Sequence, residues 1–134
     1  MTNKEYLSRA YHLQKAIDAK KRHLPYLENL SLKASANISE RVKSTPDPTR
    51  FESLMNTIID LKTSIQKDEE TLKVVRPEIV QAIYGVTDIR YKLILELRYL
   101  MYLSWDDIIV QTGYCRSYVY ELHGRALRMI KVKS

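Results

Sequence analysis

The chain has 134 residues, 45% of them hydrophobic and 28% charged, and carries a net charge of +6 with a pI near 9.4. That is length for one domain or two very small ones, with an ordinary globular composition rather than a fibrous or disordered one. No apolar run reaches the roughly 20 residues of a membrane span, the opening MTNKEYLSRAYHLQ lacks the apolar stretch of a secretory leader, and the single cysteine, Cys115, excludes an intramolecular disulfide and fits a reducing cytoplasm.

Three glycines and four prolines in a chain rich in Leu, Lys, Glu, Ile and Arg predict an all-α fold. Leu7, Ala10, Leu13, Ile17, Leu24, Leu27 and Leu30 recur at mostly three- and four-residue steps, an amphipathic helix that Pro25 is expected to kink or interrupt. Residues 34–50, rich in Ser, Thr and Pro, read as a loop. From Phe51 the stripe Phe51, Leu54, Ile58, Leu61, Ile65, Asp68, Leu72, Val75 follows heptad a and d positions with one polar break, at Asp68. Two helices that each carry one apolar stripe are expected to fold back on each other as a long antiparallel hairpin over 1–76.

Pro77 opens a short segment that Gly85 closes, the helix-start and helix-end preferences of those residues. Thr87 is a candidate cap for a helix over 87–103, whose apolar residues Ile89, Leu93, Ile94, Leu97, Leu100 and Met101 predict a central, buried element. Ser104, with Asp107 three residues on, signals the next helix start. Trp105, Ile108 and Ile109 supply its apolar face, and Thr112-Gly113-Tyr114 its turn, where Gly113 can take positive φ. Cys115 then falls at a cap position. In the helix from Arg116 to about Ile130, Val119, Leu122, Ala126, Met129 and Ile130 share one side. Ser117, Tyr120, Glu121, Gly124, Arg128 and Lys131 share the other, with Arg116 at the exposed start. Such a face can meet base edges at its beginning and phosphate at its end. Gly124 costs about 1 kcal/mol against Ala inside a helix, which close approach of DNA or of another helix would explain. Of the tyrosines, Tyr91, Tyr99 and Tyr102 are expected in the core, and Tyr114, Tyr118 and Tyr120 nearer the DNA side.

Charge is unevenly placed: residues 1–45 carry nine Lys/Arg against four Asp/Glu (net +5), 46–85 five against seven (net −2), and 86–134 eight against five (net +3). Basic ends around an acidic middle suit a nucleic-acid partner.

The stretch LRYLMYLSWDDIIVQTGYCRSYVYELHGRALRMI resembles region four of bacterial sigma factors, which reads promoter −35 elements, through its leucine-rich helix, glycine turn, capping residue and late RAL. It resembles more closely the small phage regulators with a sigma-like C-terminal domain, the ArpU-type late transcription regulators, whose pattern of RYL, SW and a later LH and AL follows a helical hairpin. The likeness covers 51–131 well and 1–50 loosely. It implies a sigma region-four-like helix-turn-helix domain at 77–134, double-stranded DNA as partner, and Arg116, Ser117, Tyr120 and Glu121 at base-reading positions, with RNA polymerase and a second copy of the chain as further candidate partners. Ser117 stands where housekeeping sigma factors have Glu, so the resemblance does not require their −35 sequence as the target. Ile109 stands where many helix-turn-helix proteins have Ala or Gly at the crossing.

His12, His23 and His123 lack metal-ligand spacing and read as surface or half-buried side chains. KDEE (67–70) and KKRH (20–23) read as solvated faces. No phosphate loop, nucleophile elbow or paired Cys/His motif is present, so neither an enzyme nor a cofactor is expected. Two rivals remain open. One is a phage terminase small-subunit-like packaging protein, which a ring-sized mass would favour. The other is an interaction module gripping RNA polymerase or a host defence protein, which tight protein binding without DNA affinity would favour.

Overall fold

A computed structural model describes residues 1–40 and 48–132, with the helical backbone alone for 36–40 and 48. Every regular element among them is helical: α1 (Asn3–Glu40), α2 (Pro48–Tyr84), α3 (Ile89–Leu95) running into a π-helical turn (Glu96–Leu100), α4 (Trp105–Thr112) and α5 (Arg116–Met129).

Pro25 does not interrupt its helix, and Pro77 does not start a new one: α1 continues through Pro25, and α2 through Pro77. A proline inside a helix costs about 3 kcal/mol. Around Pro77 the buried stripe runs on unbroken as Leu72, Val75, Ile79 and Ile83. Burying Ile79 and Ile83, at about 1.5–3 kcal/mol each, outweighs the lost hydrogen bond. Of the loop expected at 34–50, residues 34–40 belong to α1 and residues 48–50 to α2, which opens on Pro48, a residue whose fixed φ suits a first helical position. Residues 41–47 lie outside the described residues.

The chain forms two compact units, Gln14–Thr71 and Met1–Leu13 with Leu72–Ser134. The boundary expected between residues 76 and 77 falls inside α2. In the first unit, Lys20 meets Asp68 at 2.5 Å, Lys21 meets Glu69 at 2.7 Å, Lys62 lies 3.8 Å from Glu28, and Ser31 bonds Met55 at 3.2 Å. From Lys20–Asp68 through Glu28–Lys62 to Ser31–Met55 the numbers rise along one helix as they fall along the other, so the two segments run antiparallel. Ile17, Ile58 and Ile65 are buried, while Leu61 is half-buried and Leu30 exposed. Asp68, the polar break in the heptad stripe, has a partner: the Lys20 ammonium, which also donates to Ser64 Oγ at 2.7 Å.

The second unit is built on a cluster of Ile94, Leu97, Ile108, Val119 and Leu122. Asp88, not Thr87, caps α3, its carboxylate accepting from the Arg90 and Tyr91 N–H groups at 2.9 and 3.4 Å. The helix ends at Leu100, three residues before the expected end, and its two extremes, Ile89 and Met101, are solvent-exposed. In the π turn Met101 N–H reaches Glu96 O, Leu103 N–H reaches Leu97 O, and Tyr102 takes a left-handed φ of 58°.

Candidate nucleic-acid interface

The α4–α5 pair follows from local chemistry. Ser104 Oγ accepts from Asp107 N–H at 3.1 Å and starts α4. Gly113 ends it at φ 70°, its N–H on Ile109 O, a left-handed position that glycine fills without strain. Cys115 then opens α5 with an extended backbone, its thiol exposed and making no capping bond. The Sγ lies 3.4 Å from Ser117 Oγ, a hydrogen bond that holds the thiol below its ordinary pKa.

The buried side of α5 is Val119, Leu122, His123, Ala126 and Ile130. Two expectations change here. Met129 is exposed, and His123, expected at the surface or half-buried, is a core residue. His123 Nε2 lies 2.7 Å from the Tyr99 hydroxyl, with the Trp105 ring 4.7 Å away edge-to-face. Burial, with the Lys4 and Arg98 charges behind it, lowers its pKa to about 4, so it is neutral at pH 7. Burial also raises the Tyr99 phenol to about 12. Tyr114 and Tyr118, expected nearer the DNA side, are half-buried and pack edge-to-face on each other against the core cluster. Ile109 is half-buried against the same cluster.

Of the expected site residues, Arg116, Ser117, Tyr120, Glu121 and Arg128 all lie on the exposed side of α5. Arg116 is the most engaged. One guanidinium nitrogen meets Asp106 Oδ1 on α4 at 2.5 Å, and another donates to the Tyr120 hydroxyl at 3.1 Å. The Asp106 contact, then that of Tyr120, strengthens its hold on its proton. Tyr120 stands edge-on to Trp105, 5.4 Å between centroids. Glu121 pairs with Arg125 one turn on, at 2.6 Å. Near them a Cβ at Gly124 would meet the Arg128 guanidinium at 4.0 Å, an ordinary contact with the end of a flexible side chain. No other helix explains this glycine. Lys131 does not join this face. It follows the end of α5 and lines a cavity of about 790 Å³ with Tyr6, Arg9 and Glu78.

The sequence reading missed Asp106 and Arg98. Asp106 was passed over beside the capping signal of Ser104 and Asp107, and it stands a full short helix and the glycine turn away from Arg116 in sequence. Arg98 donates to Leu103 O at 2.9 Å and lies 4.4 Å above the Trp105 ring. Among the described residues no three His, Cys, Asp or Glu side chains gather to hold a metal ion, and no helix is long and apolar enough to cross a membrane.

Comparison of the chain with family models, curated proteins and solved structures finds no match.

Proposed function

We propose that this chain is a sequence-specific DNA-binding transcription regulator of the phage type, in which α4 and α5 act as a helix-turn-helix and α5 lies in the major groove. One observation carries the reading. α5 is held from behind by the buried side chains Val119, Leu122, His123, Ala126 and Ile130, and its opposite side presents Arg116, Ser117, Tyr120, Glu121 and Arg128 around Gly124, whose Cβ position is approached by the end of the Arg128 side chain alone. Arg can bond guanine bidentately, Glu can accept from cytosine, and Ser can serve either. A bare Gly124 lets a duplex come close to the helix axis. The antiparallel α1–α2 segments form the hairpin of this arrangement, and the working compartment is the cytoplasm, where the DNA is. RNA polymerase and a second copy of the chain are the further partners of this reading; capture by purified polymerase and the mass in solution test them.

Two arginines on α5 separate reading from holding. Arg116 opens the helix, where side chains enter the groove. A bidentate Arg–guanine contact is worth about 1–3 kcal/mol of discrimination. Arg128 stands three turns later, where the helix meets the backbone. A phosphate contact carries no sequence information, and losing one lowers the salt slope by about 0.9. Binding isotherms on a selected site and a scrambled one, at several salt concentrations, are the test. Arg116→Ala is expected to relax sequence preference, and Arg128→Ala to weaken both duplexes alike. If both variants bind both duplexes as the parent does, α5 is not the reader.

A further inference from the structure

We propose that the groove between the first turns of α1 and the π turn is a second DNA contact, which seats the phosphodiester backbone of the duplex that α5 reads; the inference rests on that reading. The groove encloses about 350 Å³, at the lower end of ligand-sized pockets, which span roughly 300–1,000 Å³. Its lining carries the cations Lys4 from α1 and Arg98 from the π turn, with the His12 imidazole beside them, and no carboxylate lines it. Arg9, Lys20, Lys21, Lys62, Arg90, Arg116 and Arg125 each have a carboxylate partner, whereas the Arg98 guanidinium lies against the Leu103 carbonyl and the Trp105 ring and keeps its charge uncompensated by an acid. No hydrogen bond or ion pair holds the Lys4 ammonium among the described residues. The Lys4 and Arg98 charges are close enough to His123 to depress its protonation, so they concentrate one positive field at this place. Ser104 Oγ, in the lining, accepts from a backbone N–H, which leaves its proton free to donate to a phosphate oxygen.

The backbone here is held in an unusual shape. Tyr102 sits at φ 58°, a conformation glycine adopts freely and a bulky residue rarely does, directly after a π turn. Both features concentrate at functional places. Their joint effect is to set the Tyr102 ring 5.7 Å from the Tyr11 ring, two amphipathic walls around the cations.

The groove is contiguous with the face of α5. Arg98 lies over Trp105, Trp105 meets Tyr120, and Tyr120 holds Arg116. A duplex whose bases meet the start of α5 therefore runs its backbone toward the groove. An occupant reached from that face is a polyanion rather than a free anion. On this arrangement the N-terminal helix is part of the DNA-binding surface.

The test uses the full chain and the same two duplexes over several salt concentrations, with Lys4→Ala, Lys4→Arg and Arg116→Ala. Lys4 is exposed in the first turn of α1, and thermal melting confirms that the variants stay folded. Lys4→Ala is expected to weaken selected and scrambled duplexes alike and to lower the salt slope by about 0.9, with Lys4→Arg restoring both. An unchanged slope in Lys4→Ala, while Arg116→Ala loses its preference, overturns the groove and leaves α5 as reader. A lowered slope with an unaltered preference in Arg116→Ala supports the groove and removes α5. A parent that binds neither duplex overturns both. Inorganic phosphate that shifts the His12 ring signals while duplex is saturating overturns the backbone assignment in favour of a free anion.

Discussion

The Tyr99 hydroxyl and His123 Nε2 lie 2.7 Å apart in the core, the two rings stacked with their centroids 5.7 Å apart. Since the folded state holds His123 at about 4 and an unfolded histidine titrates near 6.5, the unfolded chain binds the extra proton between those values. The stability from this site is therefore complete above pH 6.5 and is lost as pH falls toward 4. The expected loss is on the order of 2–3 kcal/mol. Urea unfolding of the parent and of His123→Phe from pH 7.5 to 4 checks it: the difference between the two must change across that window, and parallel curves would sink the assignment.

Ile58 is 4% exposed, in a unit with few buried apolar side chains. Ile58→Asp removes roughly 1.5–3 kcal/mol of burial and adds a buried, unpartnered carboxylate. Loss of most of the melting transition is expected. Leu61→Asp, at a half-buried position, should cost clearly less. Melting of Ile58→Asp within a degree of the parent would contradict this packing.

Asp106 restrains Arg116 in the free protein. Any bidentate contact to a base must compete with that carboxylate, which also faces the incoming phosphates. Asp106→Asn is expected to raise affinity for scrambled DNA several-fold at low salt and to narrow the gap to a selected site. Equal affinities for parent and variant on both duplexes would show that the pair plays no part in recognition.

A Cβ at Gly124, inside a helix, would meet only the flexible end of Arg128 at ordinary contact distance, so Gly124→Ala should stabilise the fold by about 1 kcal/mol. If a duplex closes on that side of α5, the same methyl group weakens binding. The expected result is a higher melting temperature with a lower DNA affinity. A stabilised variant of undiminished affinity would remove Gly124 from the interface.

What the sequence made legible was local. Ser104 and Gly113 announce a helix start and a left-handed stop through their own backbone chemistry, and both lie where that chemistry requires. The prolines misled because the cost of each is local, whereas the stripe that overrides Pro77 is tertiary. His123 was misplaced for a different reason. Steps of four, three and four lead from Val119 through His123 and Ala126 to Ile130, which is the buried stripe, and Met129 falls at its rim. Periodicity alone finds that histidine; it was weighed only for metal-ligand spacing, and the Tyr99 partner that satisfies it is distant in sequence. The Asp106–Arg116 pair was hidden likewise, since the direction of two side chains across a turn is not written in residue spacing.

Lys20 and Asp68 have a consequence for alignment. An apolar heptad stripe is nearly self-similar, and sliding one helix by seven residues would still bring oil against oil. Such a slip would strand the Lys20 ammonium against Leu61 or Val75 and leave the Asp68 carboxylate facing hydrocarbon, each a desolvated charge without a counter-ion. The pair thus works as a key that admits one setting of the two helices, even if at half-buried depth it adds little to their adhesion. Replacing both by leucine would leave the helices sticky and free to misalign.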